Sequence, residues 1–177
     1  MTTNILNKKS FFENSLFNIK SFLLLMKPRV MSLVIFTCAV GLLTASNDVP
    51  FVKAVISIFF VAIGAGAAGA LNMWYEADLD KLMKRTCLRP IPTGKLNKNQ
   101  ALIFGILLSI ISIIGLYFSS NLLSAIILFI TISFYVFVYT IWLKRKTPQN
   151  IVIGGASGAL PPVIAVSYTH LTLPTKA

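Results

Sequence analysis

Three of the five acidic residues in the chain, Glu76, Asp78 and Asp80, fall within five positions directly after a long apolar run. Asn72, Glu76 and Asp80 stand at i, i+4 and i+8. On a continuing α-helix that spacing drifts about 80° in total over about 12 Å of rise, so the three form one oxygen-bearing stripe. Asp78 lies about 200° around the helix from each carboxylate neighbour and reads as a solvated interfacial charge. An ionised carboxylate deep in a bilayer costs about 3 kcal/mol even on a lenient insertion scale, so the position needs a reason. The stripe is too long for all three residues to ligate one ion, because Mg²⁺–oxygen distances are about 2.1 Å. It suits a metal-bridged diphosphate, with more than one Mg²⁺ held by carboxylates plus substrate oxygens. Nearby Lys81, Lys84, Arg85 and Arg89 supply further positive charge, arginine in bidentate fashion. Local ion pairing, for instance Asp80 with Lys84 at i+4, combined with ordinary loop charge accounts for the same spacing. Spacing alone leaves both readings open.

The elements that must position this stripe are membrane helices. The chain has 177 residues, of which 56% are hydrophobic and only 12% charged. With a mean hydropathy of +0.80, it reads as a polytopic membrane protein. Apolar segments long enough to span a bilayer, which takes about 20 residues, are expected over residues 28–45, 52–74, 101–119 and 122–143, with a fifth beginning near Ile151. The net charge of +11 raises the question of nucleic acid, but 14 of the 16 basic residues cluster before the first span, in the loop after the second, and after the fourth. That alternation follows the positive-inside rule and places the N-terminal segment (residues 1–27), the stripe's loop and Lys144-Arg145-Lys146 in the cytoplasm. Lys27-Pro28-Arg29 lies too far from the start for a cleaved signal peptide, so the first helix is expected to stay. Cys38 and Cys87 have neither the number nor the spacing for disulfides or zinc. "GAGAAG" (residues 64–69) spells a dinucleotide fingerprint but sits inside an apolar helix with Arg at position 89, so it is expected to admit a close neighbour or a bulky ligand instead.

The stretch "ALNMWYEADLDKLMKRTCLRPIPTGKL" (residues 70–96) resembles the first aspartate-rich motif, N-x-x-x-[DE]-x-x-x-D followed by M-x-R-T-x-x-R-P, of the UbiA-type intramembrane prenyltransferases. It is most similar to the branch that farnesylates heme b. "LMKPRVMSLVIFTCAVGLL", "GAGAAGALN" and "YTIWLKRKTPQNIVIGGASGALPPVI" agree with that branch in order, so the resemblance covers about residues 25–166. It implies an all-α, polytopic transmembrane helical bundle around a central cavity, with Asn72, Glu76 and Asp80 as catalytic and metal-holding positions and Mg²⁺ as cofactor. Lys81, Arg85 and Arg89 are implied at the diphosphate; Lys144 and Arg145 are candidates for the diphosphate or heme propionates, with positive-inside bias an equal account of them. The implied substrates are farnesyl diphosphate and heme b in a bacterial inner membrane. Departure of diphosphate would leave a farnesyl cation for a heme vinyl group, water completing heme O, with handover to a heme A synthase or terminal oxidase.

Two departures shape the expectation. The family carries a second aspartate-rich motif, whereas no acidic residue follows Asp80, and after Val166 the sequence "SYTHLTLPTKA" turns polar where an apolar span should continue. The sequence therefore reads as a prenyltransferase domain over residues 28–166, cut short after about five spans and inactive alone, with an atypical tail over 167–177. His170 lies in that tail and is assigned no heme. A prenyltransferase for an aromatic acceptor such as 4-hydroxybenzoate would use the same diphosphate site. A small transporter would more naturally place its carboxylates mid-span.

Overall fold

The computed structural model describes residues 19–45, 50–144 and 150–170. Arg145, Lys146 and residues 171–177 of the tail lie outside the described residues. Among the described residues the chain is helical without strands: α1 (Ile19–Leu25), α2 (Pro28–Ala45), α3 (Phe51–Leu82), α4 (Lys98–Ser119), α5 (Leu122–Ser133), which continues as a π-helix (Phe134–Leu143), and α6 (Asn150–His170). Three helical stretches, Phe51–Leu82, Lys98–Ser119 and Leu122–Leu143, are long and apolar enough to cross a membrane, and α1 with α2 forms a fourth if the pair, bent by 56°, is one span. α6 carries a shorter apolar run, Gly158–Ser167, and continues past Val166 without a break.

α3 explains where the acidic stripe sits. Its 32 residues rise about 48 Å, against a hydrocarbon thickness of about 30 Å. The first 20 residues suffice to span, so Asn72 marks the far edge and the last turns run on beyond it. Those turns are covered by protein: residues 83–97 fold back over them, with Ile91 and Leu96 buried against Met73, Ala77 and Ala101. Gly94, at φ 75°, makes the turn that returns the chain to α4. α4 then starts where the Gln100 side chain accepts from the Asn97 backbone N–H at 3.0 Å, one half of a capping box.

Small residues set the helix spacing. A Cβ on Gly105 would lie 2.8 Å from Leu71 and one on Gly115 only 2.1 Å from the Phe60 ring, so α4 approaches α3 more closely than any larger residue allows. α5 is tied to α6 by buried polar groups: the Asn121 Oδ1 accepts from the Ser124 N–H at 2.7 Å, its Nδ2 donates to the Ser167 carbonyl at 3.0 Å, and the Ser124 and Ser167 hydroxyls lie 2.9 Å apart. In an apolar surround such pairs have few alternative partners. Val61, Ala68, Leu116, Leu128 and Ile132 fill the core between α3, α4 and α5, while Phe59, Phe118, Phe129 and Phe137 stay exposed on the outside, as expected of a lipid-facing surface.

The π-helix is an unexpected element, because the apolar run 122–143 carries no mark that separates it from an ordinary span. Its backbone ladder closes at i−5, as where the Lys144 N–H donates to the Tyr139 carbonyl at 3.0 Å; beside it the Thr140 side-chain hydroxyl donates to the Tyr135 carbonyl at 2.9 Å. Stretches of this kind are frequent at functional sites, and this one faces the acidic stripe.

Candidate functional site

On α3, Asn72, Glu76 and Asp80 are buried (0, 5 and 2% exposed), whereas the Asp78 side chain is 72% exposed and pairs with Lys98 at 3.0 Å. The helix thus divides its acids by face, as the four-residue spacing requires. Burial obliges the two inner carboxylates to find partners, and these come from elements distant in sequence. Arg89, on the loop, donates to Asp80 Oδ2 at 2.7 Å and lies 3.9 Å from Glu76 Oε2. The loop holds that arm in place, since the Thr86 hydroxyl donates to the Asp80 carbonyl at 3.2 Å and the Arg89 N–H to the Thr86 carbonyl at 3.0 Å. Lys144, at the end of the π-helix, forms an ion pair with Glu76 Oε1. Its ammonium lies 5.6 Å from the centre of the Tyr139 ring, within cation–π range.

A third cation arrives from the bend between α1 and α2. Lys27 has φ 53°, the left-handed region that non-glycine residues seldom occupy. Pro28 disfavours the right-handed helical conformation at the residue before it, which is why the chain breaks here. The break is seated on α3: a Cβ on Gly66 would lie 2.6 Å from the Met26 side chain, and one on Gly69 3.3 Å from the Met26 carbonyl oxygen. Two glycines of "GAGAAG" therefore serve as the bed on which Met26 lies and from which the Lys27 ammonium donates to Asn72 Oδ1. The Asn72 amide nitrogen donates to the Thr140 hydroxyl at 3.1 Å, fixing the side chain from both ends.

Beside this polar cluster lies an apolar cavity of about 220 Å³. Met26, Lys27 and Tyr135 line it together with Gly64, Ala65, Ala68 and Gly69 of α3 and Leu128, Ile132 and Ile164. The small-residue run thus does both things expected of it, admitting a neighbour and opening room. Lys27 belongs to the polar cluster and to the cavity wall, so one compartment joins the other.

The remaining residues singled out in the sequence divide. Lys81 and Arg85 are exposed, and the ion pairs of Glu76 and Asp80 run to Arg89 and Lys144 instead. Asp80 pairs with Arg89, not with Lys84 four residues on. Arg145 falls outside the described residues. Sequence reading does not single out Lys27, Tyr135 or Thr140 for the site; Lys27 enters there only as flanking charge and as part of the family-like stretch "LMKPRVMSLVIFTCAVGLL".

The donor set fits a hard cation. Asn72, Glu76 and Asp80 present oxygen, the ligand Mg²⁺ prefers. Among the described residues no group of three His, Cys, Asp or Glu side chains gathers around one point, so most of an octahedral shell is left to other oxygens, as when the metal binds with a phosphate substrate.

The chain matches the UbiA prenyltransferase family over residues 33–177. It is 66% identical over 164 residues to a protein named Protoheme IX farnesyltransferase from Pelagibacter ubique, covering 93% of this chain and 54% of the relative. It is 59% identical over 145 residues to one of the same name from Brucella anthropi, covering 82% and 46%. The chain spans about half the length of these curated relatives. The solved structure of a UbiA homolog from Archaeoglobus fulgidus bound to DMAPP and Mg²⁺ superposes with a TM-score of 0.68 at 18% identity, over 88% of this chain and 56% of that one, a likeness of fold. The family match takes in α3, the loop and the π-helix, every element of the site except the Lys27 bend, and the chain, an integral multi-pass membrane protein, belongs to the UbiA prenyltransferase family.

Proposed function

We propose that this protein is a membrane farnesyltransferase that converts heme b to heme O with farnesyl diphosphate and Mg²⁺. The observation that carries the reading is the buried Asn72–Glu76–Asp80 stripe, met by Arg89, Lys144 and Lys27 at the edge of an apolar cavity. The names of the Pelagibacter and Brucella relatives support the heme acceptor and the farnesyl donor. The ligands of the Archaeoglobus homolog support a prenyl diphosphate with Mg²⁺.

Asn72, Glu76 and Asp80 would hold Mg²⁺, along a stripe long enough for more than one ion, and the metal would supply positive charge against the diphosphate leaving group. Arg89 presents a planar guanidinium suited to two diphosphate oxygens, and Lys144 at Glu76 and Lys27 at Asn72 add point charges. Arg145 is a further candidate for the diphosphate or a heme propionate. Lys81 and Arg85, exposed beside the site, reach the diphosphate only by changing side-chain conformation. The apolar cavity receives the isoprenoid chain and excludes water from the allylic carbon until the electron-rich heme vinyl group attacks it; water then completes the hydroxyethylfarnesyl group. The loop-charge asymmetry supports a cytoplasmic N-terminus and site in a bacterial inner membrane, with heme O passed to a heme A synthase or terminal oxidase.

The test joins residues 1–166 to the part of the Pelagibacter ubique relative that lies beyond its match to them, in cells lacking their own heme O synthase. Chromatography of extracted hemes should show heme O from the chimera and none when Glu76 or Asp80 is replaced by alanine. A membrane-inserted chimera that makes no heme O but prenylates 4-hydroxybenzoate would move the reading to an aromatic acceptor. Heme O that persists in both alanine variants would refute the site.

A further inference from the structure

The proposed diphosphate site is already internally paired, and the pairing leaves a surplus. Two cations, Arg89 and Lys144, pair with the two carboxylates, Glu76 and Asp80, while a third, Lys27, donates to the neutral Asn72 amide oxygen. The carboxylates are nearly inaccessible, at 7 and 3% side-chain exposure, whereas Arg89 and Lys144 are 25 and 34% exposed. A divalent metal arriving alone would have to displace cations from both acids and would leave the cluster with three surplus positive charges. A polyanionic diphosphate arriving alone would be drawn to the cations but would strip Glu76 and Asp80 of their partners inside a poorly hydrated site. A metal–diphosphate complex presents both charges at once. Each carboxylate then trades its cation for metal, and each cation trades its carboxylate for a phosphate oxygen, so that no buried charge is left unpaired.

We infer that Lys144 and Arg89 are stand-in counter-ions for the metal, and that the ligand this site takes up is the preformed metal–diphosphate complex, metal and diphosphate binding with positive coupling. The inference rests on the reading of the stripe as a diphosphate site and adds the order of events. The partial exposure of the two cations supports it, because their side chains border open space while the acids are buried on α3. Cation and metal compete for the acids, and cation and acid cooperate for the complex. Removing a cation must therefore move the two affinities in opposite directions.

The 177-residue chain in lipid nanodiscs tests this with two probes: Mn²⁺ alone, followed by its electron paramagnetic resonance signal, and radiolabelled inorganic pyrophosphate retained with or without Mg²⁺. Wild type should retain pyrophosphate only with Mg²⁺ and bind Mn²⁺ weakly. K144M should bind Mn²⁺ alone about tenfold more tightly, within the usual range of coupling between sites, and retain Mg²⁺-pyrophosphate less well. R89M should repeat the pattern at Asp80, and K144R, which keeps the charge, should behave as wild type. A variant that merely misfolds cannot gain metal affinity. If both affinities fall together, or neither changes, the exchange is refuted while the site stands, provided E76Q and D80N abolish Mg²⁺-dependent retention. If retention is unchanged in E76Q and D80N, the stripe is not the diphosphate site and the inference falls with that reading.

Discussion

Replacing Arg89 by alanine should destabilise the protein far more than replacing Lys98, although each removes a cation paired with acids of the same helix. Breaking a fully buried pair costs about 3–5 kcal/mol because a bare charge is left behind. Asp80 is 3% exposed, but the Arg89 side chain is 25% exposed, so water reaches the vacated space and the loss falls to about 2–3 kcal/mol. For a chain of this size that is about 4–12 °C in melting temperature. The Lys98–Asp78 pair, at 44 and 72% exposure, is worth at most about 1 kcal/mol, so Lys98→Ala should shift the midpoint by no more than about 4 °C. Thermal ramps of detergent-solubilised protein at one scan rate, followed by tryptophan fluorescence, compare the two; a fixed rate matters because membrane-protein unfolding is commonly irreversible. Removing the stranded charge should restore stability, so Arg89→Ala with Asp80→Asn should melt above Arg89→Ala alone. Equal shifts for Arg89→Ala and Lys98→Ala, or no recovery in the double variant, would show that Asp80 is hydrated and that the loop does not seal it.

In the heme-extraction assay with the chimera, Asp78→Asn should retain most heme O formation, since its carboxylate faces outward; loss equal to that of Glu76→Ala would defeat the one-face reading. Cys87, half-buried on the loop, should react with a membrane-impermeant thiol reagent in inside-out vesicles and not in intact cells, with buried Cys38 silent in both. The opposite pattern would invert the proposed orientation.

What the sequence discloses about this site is what depends on one helix. Four-residue spacing sorts Asn72, Glu76 and Asp80 from Asp78 because an α-helix maps spacing onto angle without outside help. The bounds of the helix Pro28–Ala45 are legible for a similar reason, since proline and loop residues interrupt apolar runs locally. The partners of the stripe were less legible. Proximity in sequence offered Lys81, Lys84, Arg85 and Arg89 alike, with Lys144 equally a matter of loop charge, yet the cations that meet the acids are Arg89, brought back by a folded loop, and Lys144, delivered by a helix more than sixty residues away. Lys27 depends on a left-handed backbone at one end and two glycines some forty residues later, a coincidence that no window along the chain contains.

The π-helix has a consequence for how length changes would propagate through the protein. A ladder closed at i−5 turns about 82° per residue where an α-helix turns about 100°. Over the ten residues of Phe134–Leu143 the two conventions drift apart by about 180°. If the same residues wound as α-helix from Leu122 onward, Lys144 would emerge on the opposite side of the rod from Glu76. The segment therefore acts as a phase shifter between a front half, whose outward face answers to lipid, and a back half, whose inward face answers to α3. Each half is free to keep its own periodicity, and loss of one residue in between swings the ammonium off its carboxylate while leaving hydropathy, span length and helix content almost unchanged.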